Sequence, residues 1–142
     1  MKKLCLLLII ILEVFMISSC ESTELKIENY EWSMSCAVYS EGDDFVVEAV
    51  GEADHSNTDA KIVTLTLVAE NGVITITDAT NSKVYTGTYS IVNITPNGTN
   101  YNITIDGKTG YAGVAMTAYA DGSEKPTMPI NLGNYSIYFY AQ

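Results

Sequence analysis

His55 is the only histidine of the 142-residue chain, and it lies in the run Asp54-His55-Ser56-Asn57-Thr58-Asp59. Ser, His and Asp are the residue types of a hydrolytic triad, but a triad is assembled from separate elements of the fold. Neighbours in one short polar loop do not align for proton relay, so the run reads as a solvated turn. One histidine with Cys36 is too little for zinc. Two loops carry carboxylates, Glu41, Asp43 and Asp44 in the first and Asp121 with Glu124 in the second. Calcium takes about 6–8 oxygen ligands, neither loop has EF-hand spacing, and Asp is an ordinary turn residue. The sequence therefore offers no catalytic set, no metal site and no cofactor motif, and the expectation is a protein that is not an enzyme. Cys36 shares strand parity with Trp32, Met34 and Val38, which predicts a buried, inert thiol.

The remaining informative cysteine is Cys20. Met1-Lys2-Lys3 is a short basic start, Leu4 to Met16 is almost wholly apolar, and Ile17-Ser18-Ser19 leads directly into Cys20. Thirteen residues, one of them Glu13, are too few for a bilayer core that needs about 20. They suit the apolar segment of an export signal. The order small-small-Cys resembles the lipobox of bacterial lipoproteins. What that resemblance implies is cleavage before Cys20 by signal peptidase II and a diacylglyceryl group on the Cys20 thiol. A fatty acid such as palmitate, the membrane as a partner through that lipid, and a place in the cell envelope facing outside the cytoplasm (periplasm or cell surface) follow from it. The expected organisation is a signal peptide over 1–19, a lipid-attached tether over 20–29 and a single β domain over 30–142.

Beyond the leader the chain keeps 5 lysines, no arginine and 16 carboxylates. A nucleic-acid binder needs a basic patch to displace counterions, and that class is excluded. The same acidity repels anionic lipid surfaces, which leaves the acyl chains as the expected membrane contact.

The elements that would position any site are strands. Val, Ile, Thr and Tyr dominate from Tyr30 onward, in runs of alternating character broken by Asn, Asp and Gly clusters. Trp32, Met34, Cys36 and Val38 form one apolar face. Phe45, Val47 and Ala49 form the next, opposite Glu48 and Glu52. Val63, Leu65 and Leu67 run to Glu70, and Asn71-Gly72 is a strong hairpin signal. Further strands follow over 74–77, 84–92, 101–105 and 110–120, and the last runs over 135–141. Pro129 places the short segment 128–132 at an edge or in a loop. Eight or nine strands joined by consecutive hairpins predict an all-β antiparallel meander closing as a small barrel, with a β-sandwich as the alternative. The faces opposite the predicted core carry Thr, Ser, Asn and Glu, unlike the apolar outer band of a membrane-spanning barrel.

Glu31-Trp32 opening the first strand, Gly87-Thr88-Tyr89 inside a central one and Asn102-Ile103-Thr104-Ile105-Asp106-Gly107 in a later hairpin resemble the small lipocalin-like domains of bacterial lipoproteins. The resemblance implies a barrel with an early Trp plugging one end and an interior able to hold a small apolar ligand. Tyrosine adds apolar bulk with a hydrogen-bonding tip, which suits a lined cavity or a contact surface. Trp32, Tyr85, Tyr89, Tyr101, Ile103 and Tyr111 are the candidate ligand-lining residues. The expected function is non-enzymatic binding of a small apolar ligand or a protein partner at the cell envelope; the alternative is a structural or adhesive module without a pocket.

Overall fold

The computed structural model describes residues 24–52 and 59–142. Its strands are β1 (Trp32–Glu41), β2 (Asp44–Val50), β3 (Lys61–Ile62), β4 (Leu65–Glu70) and β5 (Val73–Asp78), then β6 (Lys83–Thr95), β7 (Gly98–Ile105), β8 (Lys108–Ala118), β9 (Glu124–Leu132) and β10 (Tyr135–Ala141). From β4 to β10 each strand pairs antiparallel with the next, and β1 joins β10 to β4. Eight strands thus close into an antiparallel barrel, and β2 and β3 lie outside it. Consecutive hairpins favour this up-and-down barrel over a sandwich, and closure removes the two raw edges such a meander would otherwise expose.

Turn chemistry sets the register. Asn71 and Gly72 have φ of 51° and 79°, and Asp106 and Gly107 have 49° and 76°. Two successive positive φ values match the twist of the flanking strands. At the β5–β6 turn the Asp78 carboxylate accepts bonds from the Asn81 backbone N–H at 2.9 Å and from Asn81 Nδ2 at 2.8 Å. Burial pushes the Asp78 carboxyl up, but the bonds from Asn81 and Thr80 and the charge of Lys83 outweigh it and hold the group below its ordinary value. A depressed folded-state pKa stabilises the fold above the unfolded value and is lost as pH falls through the folded one. The wild-type protein should therefore lose stability below about pH 4. Asp78→Asn should be less stable at neutral pH and lose less over that acid interval, as read from urea midpoints along a pH series.

Three local expectations are corrected. A register shift between Met34 and Cys36 in the β1–β10 ladder breaks the parity of β1. Trp32 and Met34 point into the barrel, and beyond the shift Ala37 packs on the core. Cys36 registers with Tyr138 and faces outward, half-buried. Segment 128–132 belongs to β9, which pairs with β8 and β10 and is no edge. Pro129 lacks an N–H, and the β8–β9 ladder lapses between Ala112↔Ile130 and Ala115↔Thr127, opposite that residue. The barrel tolerates the proline by omitting the bond it cannot make. Phe45 and Val47, expected on a buried face, are exposed.

The last correction has a topological cause. β4 takes Trp32 and Ser33 of β1, while β2 takes Cys36 to Glu41 of the same strand. Both neighbours use one edge of β1, so β2 peels away from the barrel wall: Val50 at its end is buried and Ala49 packs on the core, but Phe45 to Val47 have no core to cover.

Candidate functional site

Five of the six residues expected to line a ligand cavity turn into the barrel, where they help to fill it. Residues 27–29, read from sequence as tether, form a 3-10 turn whose Ile27 is fully buried. The Tyr101 hydroxyl accepts the Ile27 backbone N–H at 2.9 Å, and Trp32 Nε1–H donates to the Ile27 carbonyl at 2.9 Å. Both backbone groups of Ile27 are thereby satisfied inside the barrel, as burial requires. Tyr30 meets Trp32 edge-on at 5.3 Å between ring centroids, and Tyr89 meets Tyr101 likewise at 5.8 Å. Trp32, Tyr101 and Ile103 are buried, and Tyr85 and Tyr89 are half-buried against the same core. Leu67, Ile74, Val114, Met128, Ile130 and Phe139 complete it. An eight-stranded barrel is just wide enough for its own side chains to fill.

Tyr111 does not join this group. It is 66% exposed on the outer face, because Ala112 and Val114 are the inward residues of β8. Small residues facing inward on β8 leave room for Tyr101 and Phe139 rather than for a guest. The apolar parity of β8 is carried by residues too small to stand out beside tyrosine, which is why the sequence pattern misplaced Tyr111.

Burial raises the Tyr101 hydroxyl above its ordinary pKa, against the Ile27 bond, and burial does the same for Tyr89. These groups stay neutral in the physiological range and serve as hydrogen-bonding struts. Removing the acceptor tests this. Tyr101→Phe leaves the Ile27 N–H buried and unpaired, and should cost about 1–3 kcal/mol in urea unfolding with the barrel retained.

Carboxylates act at turns. Asp121 accepts bonds from the Ser123 N–H at 2.9 Å and hydroxyl at 2.7 Å, and its pKa is lowered by them. Among the described residues no three His, Cys, Asp or Glu side chains gather to hold a metal ion. Cys20, His55 and the whole leader lie outside the described residues.

The outer surface carries the features that the sequence reading missed. One groove of about 430 Å³ is bordered by Cys36, Thr117, Tyr119, Pro129, Tyr138 and Tyr140 on the outside of β1, β8, β9 and β10. A second, of about 750 Å³, runs between β2 and residues 59–61. Phe45, Val46 and Val47, which line it, are 73%, 58% and 39% exposed. Three consecutive apolar residues are incompatible with a strand half-buried by alternation, and that run in Asp44-Phe45-Val46-Val47-Glu48 was the available signal. No protein-family model, curated protein or solved structure matches the chain.

Proposed function

We propose that the protein is a lipid-anchored lipoprotein of the bacterial cell envelope whose non-enzymatic barrel binds a protein partner through its outer surface. The observation that carries the choice of surface over interior is the packing of the barrel. Its inward residues form one contiguous buried cluster, and Ile27 caps one end from inside. A small apolar ligand in the interior would have to displace Trp32, Tyr101 or Phe139, each buried by its own strand neighbours. Exposed apolar side chains gather instead on the outside, where contiguous patches mark contact sites. The acidic chain without arginine supports a cationic or neutral partner and speaks against nucleic acid. The anchor rests on Ile17-Ser18-Ser19-Cys20. Leu25 packs on the core close to the Ile27 cap, so an anchor at Cys20 would tether the domain by its Trp32 end.

Two measurements test the reading. Full-length protein expressed with labelled palmitate should carry the label and fractionate with membranes. Cys20→Ala should lose both and still give the β-type circular dichroism of the parent. Label retained on Cys20→Ala overturns the anchor. Native mass spectrometry of protein extracted from envelopes should give the acylated chain without a stoichiometric small-molecule adduct. Such an adduct would overturn the filled-interior reading and restore the ligand-carrying one.

A further inference from the structure

We infer that the outer edge of β2 is a strand-addition site for an extended segment in which an apolar core is bracketed by basic residues. The inference rests on the reading of the domain as a protein-binding module and names its surface and the chemistry of its partner.

Among the described residues β3 pairs only with Ala49 and Val50 of β2, so residues 44–47 are held by β1 on one side alone. An unpaired strand edge presents a row of backbone donors and acceptors, which an incoming strand satisfies. Proteins usually blunt such an edge by covering it or keeping it short. Here the edge carries Phe45, Val46 and Val47 into solvent, where they line the groove of about 750 Å³. Apolar side chains on an open edge provide burial for a partner strand in addition to the backbone ladder.

Charge selects the occupant. Asp44 and Glu48 bracket the apolar residues, and Asp59 lies across the groove; Lys61 is the cation among the residues that border it. A second copy of this chain pairing antiparallel about Val46 would set Asp44 of each copy against Glu48 of the other. Like charges directly opposite are destabilising in a ladder. A strand of the form basic-apolar-apolar-apolar-basic places opposite charges at both ends of the same register. Complementary charge also speeds the encounter and rejects wrong partners. The edge is thus guarded against itself and open to a cationic strand.

The test uses the full chain in detergent and fluorescent peptides. One peptide has a Val-Val-Val core between lysines, a second has the same core between glutamates, and a third has serines in place of the valines. A fourth keeps the first peptide's side chains on N-methylated amides. Saturable anisotropy is expected with the first peptide and at least about tenfold weaker binding with the other three. Asp44→Lys/Glu48→Lys alters exposed residues and should invert the preference between the lysine and glutamate peptides. Equal binding of the serine or N-methylated peptide would show charge attraction without strand addition and overturn the proposal. So would the absence of binding by every peptide, which leaves the acidic pair as a guard against self-pairing only. Sedimentation velocity should give a monomer; a dimer dispersed by Phe45→Lys would make a second copy the occupant and also overturn it. Failure here with no adduct in the native mass spectrum removes this site and leaves the filled-interior reading standing.

Discussion

Trp32→Ala should lower the stability of the domain by about 3–5 kcal/mol, the cost of deleting a large buried aromatic. Small domains have only about 5–15 kcal/mol in hand, so the urea midpoint should fall sharply. Three contributions converge on this side chain. It is fully buried, its Nε1–H is the donor to the Ile27 carbonyl, and its ring holds Tyr30. Its backbone also registers with Leu67 of β4 and Ala141 of β10, at the narrow seam where the barrel closes. Trp32 is the only tryptophan, so unfolding is followed by far-ultraviolet circular dichroism rather than by emission. Trp32→Phe restores most of the bulk without the donor and should recover more than half of the loss. An unchanged midpoint in Trp32→Ala would mean that the Ile27 cap does not hold the barrel end.

Gly110→Ala should be among the most damaging methyl additions to the barrel wall. A Cβ at this position would run into the Asn131 carbonyl oxygen and lie 3.1 Å from Leu132 Cδ2. The first contact is with backbone of the neighbouring strand, so no side-chain rotation relieves it and β8 must separate from β9. Overpacked cores lose about 1–3 kcal/mol, occasionally more, and a backbone clash belongs at or above the top of that range. Gly42→Ala is the control. Its Cβ would meet nothing within 4 Å, but φ is +62° there. A left-handed residue with a side chain costs about 1–2 kcal/mol. Equal midpoints for the two variants would show that the strands at Gly110 yield at no more cost than a left-handed turn residue, and would overturn the clash.

The candidate site was half legible in the residues. Alternation and the Asn-Gly and Asp-Gly pairs located most strands, because period and turn chemistry are local properties. Trp32, Tyr101 and Ile103 were correctly placed on the inward face. Residues 27–29 were read as tether, since a single buried isoleucine in a polar stretch has no period of its own. Its burial depends on partners 74 and 5 residues away. Cys36 and Tyr111 were misplaced for related reasons. A register shift after Met34 reverses parity on β1, and inward alanine and valine on β8 leave the tyrosine outside.

By itself the sequence determined an acidic all-β chain, a meander of hairpins and the inward face of its long strands. Those follow from composition, alternation and turn residues, which act within a few positions of one another. The tertiary structure alone decided that the barrel closes through Trp32 and Ser33, that its interior is filled, and that β2 is left outside. The closure and the place of β2 depend on which of two strands, about twenty residues apart, wins one edge of β1, a competition that no local pattern records. β4 takes the end of β1 next to Trp32, where Leu67 can bury against the core, and β2 keeps the end where Phe45 to Val47 face water.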